Sequence, residues 1–210
     1  MLTDEQITDL AHRMGVPLQG CYFKDELPKN IETNRSYIIN IQDSVDDNGN
    51  HNEGTHWTFL QVNKTPNGTI QPIYFDPYGQ PPPEEVKKAI QRNFNLYLPY
   101  TKKDIQSLMN NACGFYCLAL GHFINKCPLR CGDIYEDVDE FLSMFDDLNT
   151  SIDWKKNEYI LRMFFQAEDP SLRKEIDVHS QTHNDYERIL SEDEKGGIDL
   201  MKIPVDTKII

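Results

Sequence analysis

The sequence predicts an α+β fold in which a β-hairpin lies among segments of helical periodicity. Two β-rich runs, residues 57–62 and 69–75, flank Lys64-Thr65-Pro66-Asn67-Gly68, and Asn-Gly is a strong hairpin turn. Residues 36–41, SYIINI, read as a further strand. On either side, apolar residues recur at helical spacing, as at Ile7, Leu10, Ala11 and Met14 and again at Ile134, Val138, Phe141, Leu142 and Phe145.

Taken in order, Thr3-Asp4-Glu5-Gln6 forms a capping box that opens a first helix, which Gly15 and Pro17 stop. A segment of the type GCYFKDELP then reads as loop, and a second polar loop, DSVDDNGNHNEG, follows the strand at 36–41. After the hairpin, Pro-Tyr-Gly and Pro81-Pro82-Pro83 end the strand, and a helix runs from Glu84 to about Tyr97. A helix over roughly 111–125 carries Cys113, and another spans the apolar set beginning at Ile134. Ser151 caps a last helix whose apolar side is Trp154, Ile160, Leu161, Phe164 and Phe165. Residues 1–166 therefore form one domain. Residues 167–210 are polar and poor in aromatics, and they read as an extension packed over the domain or partly disordered.

Composition narrows the function. At 210 residues the chain can bury a sizeable core. No run approaches the length of a membrane span, and the acidic, polar start is unlike a secretory signal, so a soluble, intracellular, monomeric protein is expected. Five cysteines in that setting read as free thiols. A net charge of -13 repels phosphate backbones and argues against nucleic-acid binding. The one modest basic cluster is Lys87, Lys88 and Arg92 with Lys102-Lys103, which more simply reads as a solvated face.

The chemistry concentrates at QSLMNNACGFYC, residues 106–117. Cys113 lies between Asn110-Asn111 and a helix-forming apolar run, and a helix start favours a thiolate. Gln106, seven residues earlier, carries an amide suited to a developing oxyanion. His56 stands just before the first hairpin strand and Asp76 just after the second, so antiparallel pairing brings acid beside imidazole. These are the four parts of a thiol hydrolase: nucleophile, base, orienting acid and oxyanion donor. Taken singly, His56 is a strand-edge histidine, Asp76 a turn former and Cys113 a small core residue. From spacing alone both readings stand.

Two further features have plain alternatives. Trp57, beside His56, either lines a substrate channel or packs on the sheet. Cys113, Cys117, His122, Cys127 and Cys131 have residue types that zinc favours, but a continuous helix turns His122 away from Cys117. The simpler expectation is no metal or other cofactor, with Cys117 a core residue and Cys127 and Cys131 incidental thiols. Gly196-Gly197 in the tail reads as a flexible turn or, less simply, a small-residue cleavage site.

The order HW, FDPYG, Q-x6-CG-x2-C, preceded by a short helix and GCYFKDELP, resembles the adenain-type cysteine proteases, the maturation proteases of adenoviruses. FDPYG followed by PPP-EEV, together with NEYILRMFF, is most similar to the virophage and Polinton/Maverick branch. The ubiquitin-like-protein-specific proteases share the same residue order. The resemblance covers about residues 1–166. It implies a mixed central β-sheet flanked by helices, with Cys113 at the start of a central helix. It also implies Cys113 as nucleophile, His56 as base, Asp76 as orienting acid, and Gln106 with the Cys113 backbone N–H as oxyanion donors; Trp57 and Gly114 are expected at the substrate. The substrates implied are capsid or other virion precursor proteins, cleaved in the virion or in the host cytoplasm. Adenovirus proteases are basic and use DNA, whereas this chain is acidic. They also take a disulfide-linked peptide activator, and residues 77–112 contain no cysteine to tether one.

Overall fold

The computed structural model describes residues 1–108, 110–126, 133–148 and 153–165. Its elements are α1 (Asp4–Met14), β1 (Leu18–Phe23), β2 (Arg35–Asn40), β3 (Trp57–Lys64), β4 (Ile70–Phe75), α2 (Glu84–Phe94), α3 (Cys113–Lys126), α4 (Ile134–Ser143) and α5 (Asp153–Phe164). The strands form one mixed sheet in the order β1-β2-β3-β4, with β1 parallel to β2 and the other pairs antiparallel.

Side-chain alternation along the strands divides the core between the two faces of the sheet. Ile38, Trp57, Phe59, Ile73 and Phe75 pack with apolar residues of α1, α3, α4 and α5. Tyr37, Ile39, Leu60, Val62 and Tyr74 pack with Val86, Ala89 and Ile90 of α2 on the other face. Helix α3 is therefore central, between the sheet and the outer helices, and its residues Phe115 through Leu120 are all fully buried. Phe141 of α4 joins the helices, lying 5.6 Å from both Phe123 and Phe164 and 6.2 Å from Phe75, ring centre to ring centre.

Local chemistry explains most element ends. The capping box forms as expected: Gln6 N–H donates to Thr3 Oγ1 at 3.2 Å and Thr3 N–H to Gln6 Oε1 at 2.9 Å. Helix α2 stops at Phe94 rather than near Tyr97, because Asn95 adopts a left-handed φ of 55° and returns its N–H to the Gln91 carbonyl. Helix α3 begins at Cys113 rather than 111, because the Asn110 side chain accepts the Ala112 N–H at 3.2 Å before the first turn closes. The segment read as loop around Gly20-Cys21-Tyr22 is instead edge strand β1. Its sequence has no period-two alternation and contains a glycine, so parallel pairing with β2, not local propensity, makes it a strand. Ser151 and the 167–210 extension lie outside the described residues.

Candidate active site

His56, Asp76, Gln106 and Cys113 converge at the end of the sheet where β3 begins and β4 ends. His56 leaves the polar loop through Gly54, whose φ of +82° and close approach exclude a side chain; a Cβ there would lie 2.3 Å from Asn40 Nδ2. The Ile41 N–H donates to the His56 carbonyl at 3.3 Å, tying the histidine to the end of β2. Across the hairpin, Asp76 opens the turn Asp76-Pro77-Tyr78-Gly79, closed by the Gly79 N–H to the Asp76 carbonyl at 2.8 Å. Gly79 also has a positive φ, +67°, and a Cβ there would meet the Lys102 carbonyl oxygen at 2.5 Å. That close approach lets Ile105 and Gln106 donate their N–H groups to the Pro77 carbonyl, at 2.9 and 3.2 Å. One turn thus fixes both the acid and the segment bearing Gln106.

The acid and the imidazole meet directly. His56 Nε2 lies 2.8 Å from Asp76 Oδ1, with His56 5% and Asp76 2% exposed. Burial pulls the His56 pKa down, but the hydrogen bonds and charges of Asp76 and Cys113 outweigh it and raise the pKa from 6.5 to about 9. Those interactions favour the imidazolium. Its other nitrogen, Nδ1, is buried and makes no hydrogen bond of ordinary geometry, while the Cys113 side chain helps raise the pKa of the ring. Cys113 is 2% exposed, and its sulfur accepts the Trp57 backbone N–H at 3.4 Å. As the first residue of α3 it also sits among helix-start N–H groups that lack intrahelical acceptors.

Gln106 is 1% exposed, and its Nε2 donates to the Tyr78 hydroxyl and to the Asn110 carbonyl, both at 3.2 Å. The carbonyl can only accept, which sets the orientation of the amide. Asn110 in turn donates its side-chain amide to Glu158, buried on α5. Asn157 of α5 donates to the Ile105 carbonyl at 3.1 Å. Helix α5 therefore braces the Gln106 loop from behind.

Tyr78 is the site residue that the sequence reading left without a role. Its ring stacks on His56 at 4.3 Å and 16°, and its N–H donates to Asp76 Oδ1 at 2.8 Å. The signal was present in the hairpin. Phe59 pairs with Phe75 at the end of the ladder, which brings the residues just before β3 and just after β4 together, and the turn from Asp76 carries Tyr78 onto His56.

The two residues expected at the substrate, Trp57 and Gly114, are both buried. Trp57 is 4% exposed, and its indole N–H donates to the Leu2 carbonyl at 2.8 Å. It packs in the core because its position on β3 faces α1 and α3. Gly114 is buried beneath α1, where an added Cβ would lie 3.2 Å from Leu2 Cδ1. Cys117 is fully buried, and its thiol, held well above its ordinary pKa by burial, donates to the Trp57 carbonyl at 3.4 Å. Cys113, Cys117 and His122 do not share a target, since His122 Nδ1 is 2.9 Å from the Met14 carbonyl. Among the described residues no group of three or more His, Cys, Asp or Glu is arranged to hold a metal; Cys127 and Cys131 lie outside them. Nor is any described helix long and apolar enough to cross a membrane.

Surface cavities of about 490 and 600 Å³ lie elsewhere, one between Tyr100-Lys103 and α4, the other between α1 and Cys21. Neither is lined by any of the four converging residues. Compared with known proteins, the chain matches no family model and no curated protein.

Proposed function

We propose that this chain is a cysteine endopeptidase of the adenain type that cleaves capsid or other virion precursor proteins, in the virion or the host cytoplasm. The observation that carries the reading is the buried His56–Asp76 pair at 2.8 Å with its imidazole biased by the Cys113 sulfur. A strand-edge histidine and a turn-forming aspartate have no need to meet in the core beside a helix-start cysteine. The order of residues and the FDPYG and CG-x2-C motifs support the family assignment.

In this reading the Cys113 thiolate attacks the scissile carbonyl carbon. The C–S bond forms and the carbonyl π pair moves onto oxygen, where Gln106 Nε2 and the Cys113 backbone N–H donate to it. When the C=O bond re-forms, the C–N bond breaks and the leaving amine takes the proton of the His56 imidazolium. Water then attacks the thioester, His56 accepts its proton, and the C–S bond breaks to return the thiolate. Asp76 stays ionised throughout and keeps Nε2–H directed at itself, leaving Nδ1 to exchange protons with the reacting atoms.

The test is incubation of the purified protein with virion precursor proteins and, separately, with a ubiquitin-like precursor, followed by mapping of new termini by mass spectrometry. New termini in the virion proteins, absent with Cys113→Ala, support the proposal. Cleavage confined to the ubiquitin-like precursor reassigns the substrate, and cleavage of neither by the wild type rejects the reading.

A further inference from the structure

Tyr78 touches the base, the acid and the oxyanion donor together, and no role assigned above uses its hydroxyl. The contacts leave the side chain little freedom. Its ring lies against His56, its backbone N–H is bound to Asp76, and its hydroxyl oxygen accepts from Gln106 Nε2.

Counting donors makes the point sharper. A glutamine amide has two N–H groups. In Gln106 one is directed at the Asn110 carbonyl and the other at the Tyr78 oxygen. The N–H that would meet an oxyanion is the one now held by Tyr78. A hydroxyl has its own hydrogen to donate whether or not it accepts one, so when an oxyanion takes the Gln106 N–H, the Tyr78 O–H can donate beside it. Burial, then the charges of Cys113, Asp76 and Asp104, push the Tyr78 pKa up to about 12, so the hydrogen is retained. Tyr78 is half-buried, whereas Cys113, His56 and Gln106 are buried, so it borders the approach to the site.

Resting on the hydrolase reading above, we propose that the Tyr78 hydroxyl is a catalytic donor to the oxyanion. When the thiolate adds to a carbonyl, the negative oxygen accepts from Tyr78 O–H and from Gln106 Nε2–H. When the C=O bond re-forms and the leaving group departs, both hydrogens stay where they began. The proton for the leaving group still comes from His56.

Two reactions of Cys113 separate this role from packing. Alkylation by iodoacetamide forms an S–C bond and expels iodide without any oxyanion. Acylation by p-nitrophenyl acetate passes through a tetrahedral oxyanion and releases p-nitrophenolate as a burst. Tyr78→Phe keeps the ring on His56 and removes only the hydroxyl. Its acylation rate should fall by about a hundredfold, the low end of the usual loss for one oxyanion donor, while alkylation of Cys113, mapped by mass spectrometry, stays about the same. A fluorinated tyrosine at position 78 keeps both shape and hydrogen bonds. It should add a loss of acylation at the pH where its more acidic hydroxyl ionises.

An unchanged burst rate in Tyr78→Phe, an equal loss in both reactions, or no new pH dependence with the fluorinated residue overturns the assignment of Tyr78 alone. A wild-type protein in which Cys113 shows no acylation at all overturns the hydrolase reading, and the role of Tyr78 with it.

Discussion

Replacing Asp76 with Asn tests whether the buried acid sustains the charge on His56. The change is nearly isosteric, and the Asn side-chain oxygen can still accept the Tyr78 N–H that Asp76 accepts at 2.8 Å. What is lost is the negative charge facing His56 Nε2. A histidine raised from 6.5 to about 9 on folding contributes on the order of 3 kcal/mol. Because the folded pKa is the higher one, that stability is complete below pH 6.5 and disappears as pH rises through about 9. In Asp76→Asn the desolvation of His56 is opposed mainly by Cys113, so the histidine should titrate at least about one pH unit lower. The variant should then be destabilised more at pH 6 than at pH 9.5, by about 1.4 to 3 kcal/mol. Burial also raises the Cys21 and Cys117 thiols; burial is the first cause for both and is common to the two proteins, and only the smaller contribution of Asp76 at Cys117 is removed by the substitution. Urea denaturation at the two pH values gives the stabilities, and the His56 ring resonances followed by NMR give the pKa directly. A wild-type His56 titrating near 6.5, or a destabilisation that does not change with pH, refutes the reasoning.

Cys113→Ala should abolish peptide cleavage with the fold intact by circular dichroism. Cys117→Ala should keep measurable activity and lose roughly 1–2 kcal/mol in denaturant melts through a small core cavity; the reverse pattern means the wrong cysteine has been chosen. Gln106→Ala should lower kcat about a hundredfold with KM little changed, and Gln106→Glu should do no better, since a carboxylate repels the developing charge. Peptidase rates should not respond to added duplex DNA at low salt. The net charge is -13, and of the basic cluster Lys87 pairs with Glu84 at 2.7 Å while Lys103 donates to the Leu142 carbonyl at 3.0 Å. A large stimulation that vanishes as salt rises would point back to those lysines.

The sequence by itself determined the elements whose signals are local. The capping box, the Asn-Gly hairpin and the periodic helices depend on contacts within a few residues, so their types are legible one segment at a time. His56, Asp76 and Cys113 stand out the same way, as chemistry-bearing residues at element ends, and Gln106 stands out by its spacing from Cys113. Only the tertiary structure decided what those residues touch. Strand β1 exists because β2 offers it a parallel partner, and Trp57 and Gly114 are core residues because α1 folds over them. Tyr78 joins the site because the turn after β4 lays its ring on His56 and the close approach at Gly79 brings Gln106 against its hydroxyl. Glu158, far along the chain, reaches Asn110 only after α5 has packed. Such pairings depend on the relative placement of elements distant in sequence, and no local pattern of residues encodes a distance between them.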